Sequence, residues 1–584
     1  MRLITTADPQ FFGFEDKPNE PLLLLGEWCR DFASPEAFKG HPVQVLQHPW
    51  EDREVFHAAY KANRQAYQNL LPLFADALNE VHGLKWPLKS WRLIIGPWLQ
   101  YTLGLLEDRQ QLIQKATEQY TTLHTLVSAN SLNDFRFNTF EHLFMDSLKD
   151  SFNHVLFATM AKENGHVLLE NTPLSLVPTE KLKLGTSVSR LIKQNLNRTS
   201  RFFSQLKQPK LILHASYMSR SQEWDLTKRL GDIPTFLFPH VLEPTQSDLE
   251  VRSRFEALIL KKSNSLSPHL IKLVPQSYLE VFQNLLKQTN DQLPQNPKAI
   301  LTANGYYTND NFKIWAAHQM QRGSKLIITQ HGGHYGTGAW SDLEDHEKEI
   351  GDYYFTWGWS EEKEAKKLCP LPSPKLALSK KRIKTNSQKS LLVVWNSFPR
   401  YVYRMVPFPV AQQNLREIES GFRFFKKLDP RIYSQSKIRF YPSNFGWSEE
   451  KRFDQQFPDL KKSSSSIELT QAFSEASLVV TASNTTVFLE GLVSDVPTLA
   501  FWDDTFWPAR ESAKPYLEKL KQVGILHSSS ESAAQKVNEI FDHPLDWWNS
   551  KEVVEAKNLF TQKFARFDEN WINEWICTLQ TIFK

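Results

Sequence analysis

Cysteine is nearly absent from this chain: Cys29, Cys369 and Cys577 are the three among 584 residues, far apart and without metal-ligand spacing. That excludes a disulfide framework and fits a reducing, cytoplasmic compartment. Long hydrophobic runs are lacking too. The opening stretch MRLITTADPQFF has no apolar core of the signal-peptide kind. The greasiest window, 91–106, holds Arg92, Gly96, Pro97 and Gln100, so it is too interrupted to span a bilayer and reads as a buried helix pair. Nor does charge of one sign dominate: Lys and Arg number 69 against 65 Asp and Glu, a formal charge of +4. A dedicated nucleic-acid binder is far more basic, whereas an anionic substrate or weak contact with an anionic membrane surface fits this balance. The sequence also has no G-x-x-x-x-G-K-[ST] loop, no G-x-G-x-x-G between strand and helix, and no G-x-S-x-G elbow. These absences argue against kinase, dehydrogenase and hydrolase chemistry.

What is present is a globular chain, 41% hydrophobic and 23% charged, too long for one core and so expected to form two domains or more. Leu22-Leu23-Leu24-Leu25-Gly26 reads as a buried parallel strand with Glu27 at its carboxyl end, where open α/β sheets bind ligands. Residues 51–84, 108–127 and 136–163 have helical spacing. Short strands are expected at 211–214 and 235–239, around a helix at 221–230. A clearer unit follows: strand 299–305, helix 310–321 capped by Asn309 or Asp310, strand 325–330, a glycine-rich loop, and strand 353–357. Residues 370–390, rich in Pro, Ser and Lys, read as an interdomain linker. A second series of strands starts at 391–395 and continues at 437–442, 478–482 and 498–502, before a mainly helical tail.

Two loops carry the chemistry. The strand Leu478-Val479-Val480-Thr481-Ala482 runs into Ser483, Asn484, Thr485 and Thr486, and then into a helix. A helix N-terminus has unpaired N–H groups and a partial positive charge, which suit a phosphate, and these four side chains add donors. They are equally ordinary N-caps, so both readings stand. Glu490, one turn in, is expected beside the ribose or base. In the other loop, His331 follows a strand and is flanked by Gly332, Gly333 and His334; the glycines permit a tight turn and close approach to a ligand. Histidine is the usual proton carrier near neutral pH. No carboxylate–histidine spacing supports a metal here, and none is expected. Asn396, Arg400 and Arg404 follow the first strand of the second series; the arginines suit a diphosphate or sugar carboxylate, or else lie solvated on the surface. Tyr441 follows another strand. Asp52, Arg53 and Arg92 are candidate acceptor contacts, with surface salt bridges as the alternative.

A strand ending in Gln330-His331-Gly332-Gly333, a strand into Arg439-Phe440-Tyr441-Pro442, and the strand–turn–helix ending near Pro497 follow one another in an order that resembles bacterial surface-polysaccharide transferases. The nearest in motif are capsule Kdo transferases and CDP-glycerol glycerophosphotransferases, and this similarity covers the C-terminal half. Leu24-Leu25-Gly26-Glu27-Trp28-Cys29, the segment from Trp91 through Trp98, and Asp352-Tyr353-Tyr354-Phe355-Thr356-Trp357 resemble, over nearly the whole chain, an uncharacterised family of transferases from surface-carbohydrate gene clusters. The resemblance implies an α/β fold of GT-B architecture: two Rossmann-like domains facing a cleft, with helical additions. The acceptor-side domain is expected at 1–370, the linker at 371–390 and the nucleotide-sugar domain at 391–584, its last helices packing back on the first. It implies a cytoplasmic glycosyltransferase with peripheral contact at the inner membrane. A nucleotide-sugar, CMP-linked by preference, is the donor substrate, a glycan or lipid-linked acceptor receives the sugar, and no cofactor or metal takes part. His331 matches the histidine of the first-domain motif and serves with Glu27 as candidate base. Ser483, Asn484, Thr485 and Thr486 match the phosphate-holding turn. The family's histidine–proline pair reads Tyr441-Pro442 here, which removes one positive charge from the nucleotide site. A polyol-phosphate transferase, or an inert carbohydrate-binding protein on the same fold, are the alternatives.

Overall fold

The computed structural model describes residues 1–584 apart from 15–16, 128–131, 166, 172–186, 233–236, 238–247, 263–266, 365, 385–388 and 403. The strand expected at 235–239 falls outside the described residues. Among the described residues three separate sheets form, and every strand pair in them is parallel. The first is made of β1 (Arg2–Ile4), β2 (Leu22–Leu24), β3 (Val43–Val45), β4 (Leu123–Val127) and β5 (Val167–Asn171), in the order β3-β2-β1-β4-β5. The second holds β6 (Leu211–His214), β7 (Ala299–Thr302), β8 (Lys325–Thr329), β9 (Tyr353–Thr356) and β10 (Leu368–Pro370), in sequential order from one edge to the other. The third holds β11 (Leu391–Val394), β12 (Ser436–Arg439), β13 (Lys461–Lys462), β14 (Leu478–Thr481), β15 (Thr498–Phe501) and β16 (Leu526–His527). Its order is β13-β12-β11-β14-β15-β16, the doubly wound order whose direction reverses between β11 and β14. The central strands are continuous apolar runs because helices cover both of their faces.

Three expectations are corrected. Residues 1–370 carry two sheets rather than one Rossmann-like unit. The cause lies partly at 121–127, where helical spacing continues on paper but the chain leaves the helix at Tyr120 and Leu123–Val127 pairs with β1 and β5; tertiary pairing overrides a weak local preference. The window 91–106 is not a helix pair but the middle of one helix, Leu88–Gln119, which runs on through Pro97 and is buried on most sides. The expected linker contains a helix, Pro374–Arg382, capped by Ser373 and packed on the helix Thr486–Val493. Its leucine and alanine supply a buried stripe that the lysines around it mask.

The last helix, Trp571–Phe583, crosses back to the second sheet. Trp571, Ile572, Trp575 and Leu579 pack with Leu301, Ile327 and Phe355, and Trp575 Nε1 donates to the Pro372 carbonyl at 2.9 Å. The helix Leu88–Gln119 also packs against Asp342–Ile350, which carries part of the site. Gly96 permits that approach: a Cβ there would lie 2.5 Å from the His346 ring and 2.8 Å from the Tyr67 hydroxyl.

The candidate acceptor contacts are held by the scaffold. Asp52 caps the helix Arg53–His82, accepting from the amides of Glu54 and Val55. Arg92 is ion-paired with Glu349 and donates to Gln68. Arg53 donates to the carbonyls of Thr505 (3.0 Å), Phe408 (3.0 Å) and Phe506 (3.2 Å) and to Gln413 Oε1 at 2.7 Å, tying the long N-terminal helix to the third sheet's loops. Losing a charged donor shared by several acceptors costs about 2–3 kcal/mol. Arg53→Ala is therefore expected to lower the unfolding free energy measured by urea titration by that amount, while activity per folded molecule stays within a few-fold. A large loss of activity at unchanged stability would return Arg53 to an acceptor role.

Candidate active site

The second and third sheets turn their carboxyl edges towards each other, and the loops leaving those edges meet. Glycine makes the meeting possible. A Cβ on Gly333 would lie 2.2 Å from the carbonyl carbon of Thr485 and 2.5 Å from the amide nitrogen of Thr486, closer than any side chain tolerates. The backbone of the glycine-rich loop therefore rests on the first turn of the helix Thr486–Val493. Asn484 Nδ2 donates across the same junction to Thr337 Oγ1 at 3.2 Å, and Ala339 N donates to the Pro508 carbonyl at 2.9 Å. Arg510 adds ion pairs to Glu344 (2.8 Å) and Glu361 (2.7 Å).

Gln330 fixes the loop from behind. Its side-chain oxygen accepts from the Trp357 amide and Trp359 Nε1, at 2.9 and 2.8 Å, and its amide donates to the Gly332 carbonyl at 2.9 Å. His331 is thereby presented at the carboxyl end of β8. Its Nδ1 lies 3.6 Å from Glu347 Oε1, and its Nε2 lies 3.4 Å from the Tyr335 hydroxyl. Glu347 is fully buried and accepts from three phenols: Tyr306 at 2.5 Å, Tyr354 at 2.8 Å and Tyr335 at 2.9 Å. Burial pushes its carboxyl up to about 8, with the phenol hydrogen bonds pulling the other way. Burial drives His331 down to about 3, helped by His334, Arg404 and Lys375. The imidazole is neutral at physiological pH, the form that accepts a proton.

The other loops of the second sheet complete this wall. After β6, Ala215 and Tyr217 hold φ of 47° and 62°, a region that side chains disfavour. Tyr217 Oη accepts from Asn304 Nδ2 at 3.0 Å, and its ring centre lies 5.3 Å from that of His331. Lys375 stands 5.7 Å over the Tyr217 ring and 3.9 Å from Glu490. Tyr217 is 43% exposed; partial burial raises its pKa, and Tyr441 raises it further. In the third sheet, a cavity of about 330 Å³ opens at the carboxyl ends of β11, β12 and β14, at the point where strand order reverses. Trp395, Asn396, Tyr441, Ser483, Thr485 and Thr486 are among its walls. Ser483 and Thr485 share a hydroxyl hydrogen bond of 3.1 Å, and Thr485, the N-cap, makes no side-chain capping bond.

The residues singled out in the sequence thus divide. His331, Gly332, Gly333, Asn396, Tyr441 and the Ser483–Thr486 turn gather around the cleft. His334 is packed against Tyr335 and Phe408. Arg404 stacks over Tyr307 at 4.6 Å and donates to its hydroxyl, while its charge still bears on both histidines. Three assignments are displaced. Arg400 Nη2 donates to both carboxylate oxygens of Asp150, each at 2.5 Å, and so joins the first sheet's helices to the third sheet. Glu490 is not in the cavity wall: it accepts from Ser379 Oγ at 2.9 Å, because the supposed linker is a helix lying on it. Glu27 pairs with Arg30 at 2.9 Å at the first sheet's edge, which is not one of the two sheets that form the cleft. Glu347, Tyr217 and Lys375 were missed. Glu347 alone left a trace, a carboxylate on the buried face of the helix Asp342–Ile350, where a lone charge needs donors. Among the described residues no three His, Cys, Asp or Glu side chains are grouped to hold a metal, and no helix is long and apolar enough to cross a membrane.

Two parallel α/β sheets presenting their carboxyl edges to one cleft define the GT-B class of architecture. The chain belongs to the LIC12162 family of transferases, whose family model matches residues 1–579. It is a transferase. No curated protein matches. Similar solved structures include the S. aureus MnaA–UDP complex, at 10% identity over 62% of this chain and 93% of that one, with a TM-score of 0.36. The wall teichoic acid polymerase TagF with CDPG gives 9% identity, 68% and 98% coverage and a TM-score of 0.33. The Neisseria meningitidis UDP-GlcNAc 2-epimerase bound to UDP-GlcNAc gives 9%, 63% and 96%, and 0.31.

The Glu347 environment has a pH signature. Its folded pKa is raised above the ordinary 4.5 to about 8, so it contributes destabilisation that grows as pH rises between those values. His331, lowered from 6.5 to about 3, costs stability only as pH falls below 6.5. Between pH 6.5 and 8 the Glu347 effect therefore stands alone in this pair. The melting temperature of Glu347→Gln minus that of the native protein should rise across this window. A flat difference would mean that Glu347 is already ionised at neutral pH.

Proposed function

We propose that the protein is a glycosyltransferase that moves a sugar from a nucleotide-activated donor onto a surface polysaccharide or lipid-linked glycan. One observation carries this reading: a neutral histidine backed by a buried carboxylate faces, across a glycine-packed junction, a helix N-terminus and a cavity at the switch point of a doubly wound sheet. The cavity is of a size for a nucleotide, with Trp395 and Tyr441 offering faces for a base and Ser483, Thr485 and Thr486 offering donors for phosphate.

In the reaction, His331 Nε2 takes the proton of the acceptor hydroxyl as its oxygen attacks the anomeric carbon. The imidazolium that forms lies 3.6 Å from Glu347, whose carboxyl oxygen stabilises it while the three phenols hold that carboxyl in place. The bond from the anomeric carbon to the donor phosphate breaks. The negative charge left on the phosphate is met by the helix N-terminus, the threonine hydroxyls and Lys375. No metal or other cofactor is required by this scheme. The motif resemblance to capsule Kdo transferases favours a CMP-linked nonulosonic acid as donor. The equally ordered motifs of CDP-glycerol glycerophosphotransferases favour polyol-phosphate transfer as the second reading, with the attack on phosphorus instead of carbon. A thermal-shift series with CMP, CDP, UDP and GDP, followed by donor-hydrolysis assays, separates the two and tests both against an inert protein.

Two substitutions test the division of labour. His331→Ala should lower turnover by roughly 100-fold or more with little change in melting temperature; activity within a few-fold of native would put the base elsewhere. Ser483→Ala combined with Thr485→Ala should weaken nucleotide binding by roughly 1–3 kcal/mol, the scale of hydrogen bonds to charged groups, while leaving free nucleoside binding unchanged. Native-like nucleotide affinity in calorimetry would reduce the turn to a helix cap.

A further inference from the structure

The helix Ser187–Leu206 is inside out for an element packed on a protein core. Towards its neighbour, the helix Phe282–Gln292, it buries small polar residues: Asn197, Ser200 and Ser204. On that side Arg201 donates to the Asn290 carbonyl, and Ser204 Oγ accepts from the Gln295 amide at 3.2 Å. From Leu196 onward four apolar side chains face solvent instead. Leu196 is 38% exposed, Phe202 58%, Phe203 42% and Leu206 69%. The 196, 203 and 206 positions fall on one stripe of the helix, with Phe202 beside it and its ring 5.9 Å from that of Phe203. A soluble amphipathic helix arranges these faces the other way round.

The charge around the stripe identifies what covers it. Residues 187–210, the helix and the turn that follows it, contain six Lys and Arg and no Asp or Glu, in a chain whose whole formal charge is +4. The rest of the molecule is thus net acidic, and its cationic excess is collected in this one segment. Arg198 and Lys207 flank the stripe and are themselves exposed. A protein partner calls for an apolar patch; an acid-free, arginine- and lysine-rich segment around exposed phenylalanines calls for an apolar layer beneath an anionic one. We propose that the stripe Leu196, Phe202, Phe203 and Leu206 is a docking surface for an anionic lipid bilayer, the rings entering the headgroup boundary and the basic side chains reaching the lipid phosphates. The placement suits this. Lys207 and Gln208 rest on the Gly231 and Asn296 carbonyls, at the amino ends of β6 and β7. The docked edge of the sheet is the one opposite His331, so the cleft stays free when the stripe is engaged.

Sedimentation of the full-length chain with phosphatidylcholine vesicles, plain or containing about a third phosphatidylglycerol, tests this independently of catalysis. The native protein is expected to sediment with the phosphatidylglycerol vesicles only, and less so as salt rises. Phe202→Ser, Phe203→Ser and Leu206→Ser together should reduce that binding about ten-fold or more at unchanged melting temperature, since these side chains are exposed. Arg198→Glu with Lys207→Glu, which leaves the apolar stripe intact, should remove the preference for the anionic vesicles. The proposal is overturned if the native protein ignores both vesicles or if both variants bind as the native does. It is overturned equally if the serine variant converts a dimer to a monomer in light scattering, which would assign the stripe to a second copy of the chain.

Discussion

The cleft depends on one close approach, the backbone of Gly333 seated on the first turn of the helix that begins at Thr486. No other residue type fits there, because a Cβ would meet main-chain atoms that have nowhere to go. This contact sets the distance between the second and third sheets. It places the carboxyl end of β8 opposite the carboxyl end of β14, and with them His331 and the Ser483–Thr486 turn. The surrounding hydrogen bonds, Asn484 to Thr337 and Ala339 to Pro508, and the Arg510 ion pairs hold the same junction from three further points.

Behind that junction the electrostatics are arranged around one buried carboxylate. Three phenols converge on Glu347, which in turn stands 3.6 Å from His331. Arg404 and Lys375 bear on the imidazole from the other side. Burial disfavours charge on both groups, so the imidazole rests unprotonated and free to take up a proton beside the carboxyl. Gln330, which on sequence grounds is only the residue before the histidine, has the positioning role: its amide bonds both to the loop and to two tryptophan N–H groups.

The N-terminal sheet and the two long helices act as a buttress. Arg53 and Arg109 cross from this region to the third sheet's loops and Arg400 reaches back from those loops to Asp150, and each is bound to several acceptors or to a carboxylate. Arg53 and Arg400 look in sequence like ligand contacts, yet they are bonded within the fold. The same physical property, a planar fork with no acceptor, serves a sugar carboxylate and a buried Asp150 equally well. Local sequence does not distinguish the two uses.

The sequence by itself determined β6 to β9, β11, β12, β14 and β15 of the second and third sheets, a cap at Asn309 or Asp310, the glycine-flanked histidine and the small polar turn at 483–486. Each of these is set by short-range rules: apolar runs, capping side chains, and glycine where the backbone must turn or touch. It also determined the mainly helical tail. The separation of residues 1–370 into two sheets was decided by tertiary structure, since pairing partners such as β1 and β4 lie more than a hundred residues apart and the 121–127 segment follows its partners rather than its own spacing. So was the helix at 374–382, whose burying surface, the helix carrying Glu490, arrives from far along the chain. The same holds for Glu347, Tyr217 and Lys375, which reach His331 from three different elements. A charge on a short helix acquires its meaning only when the low-dielectric surroundings and the donors that face it have been brought together by folding.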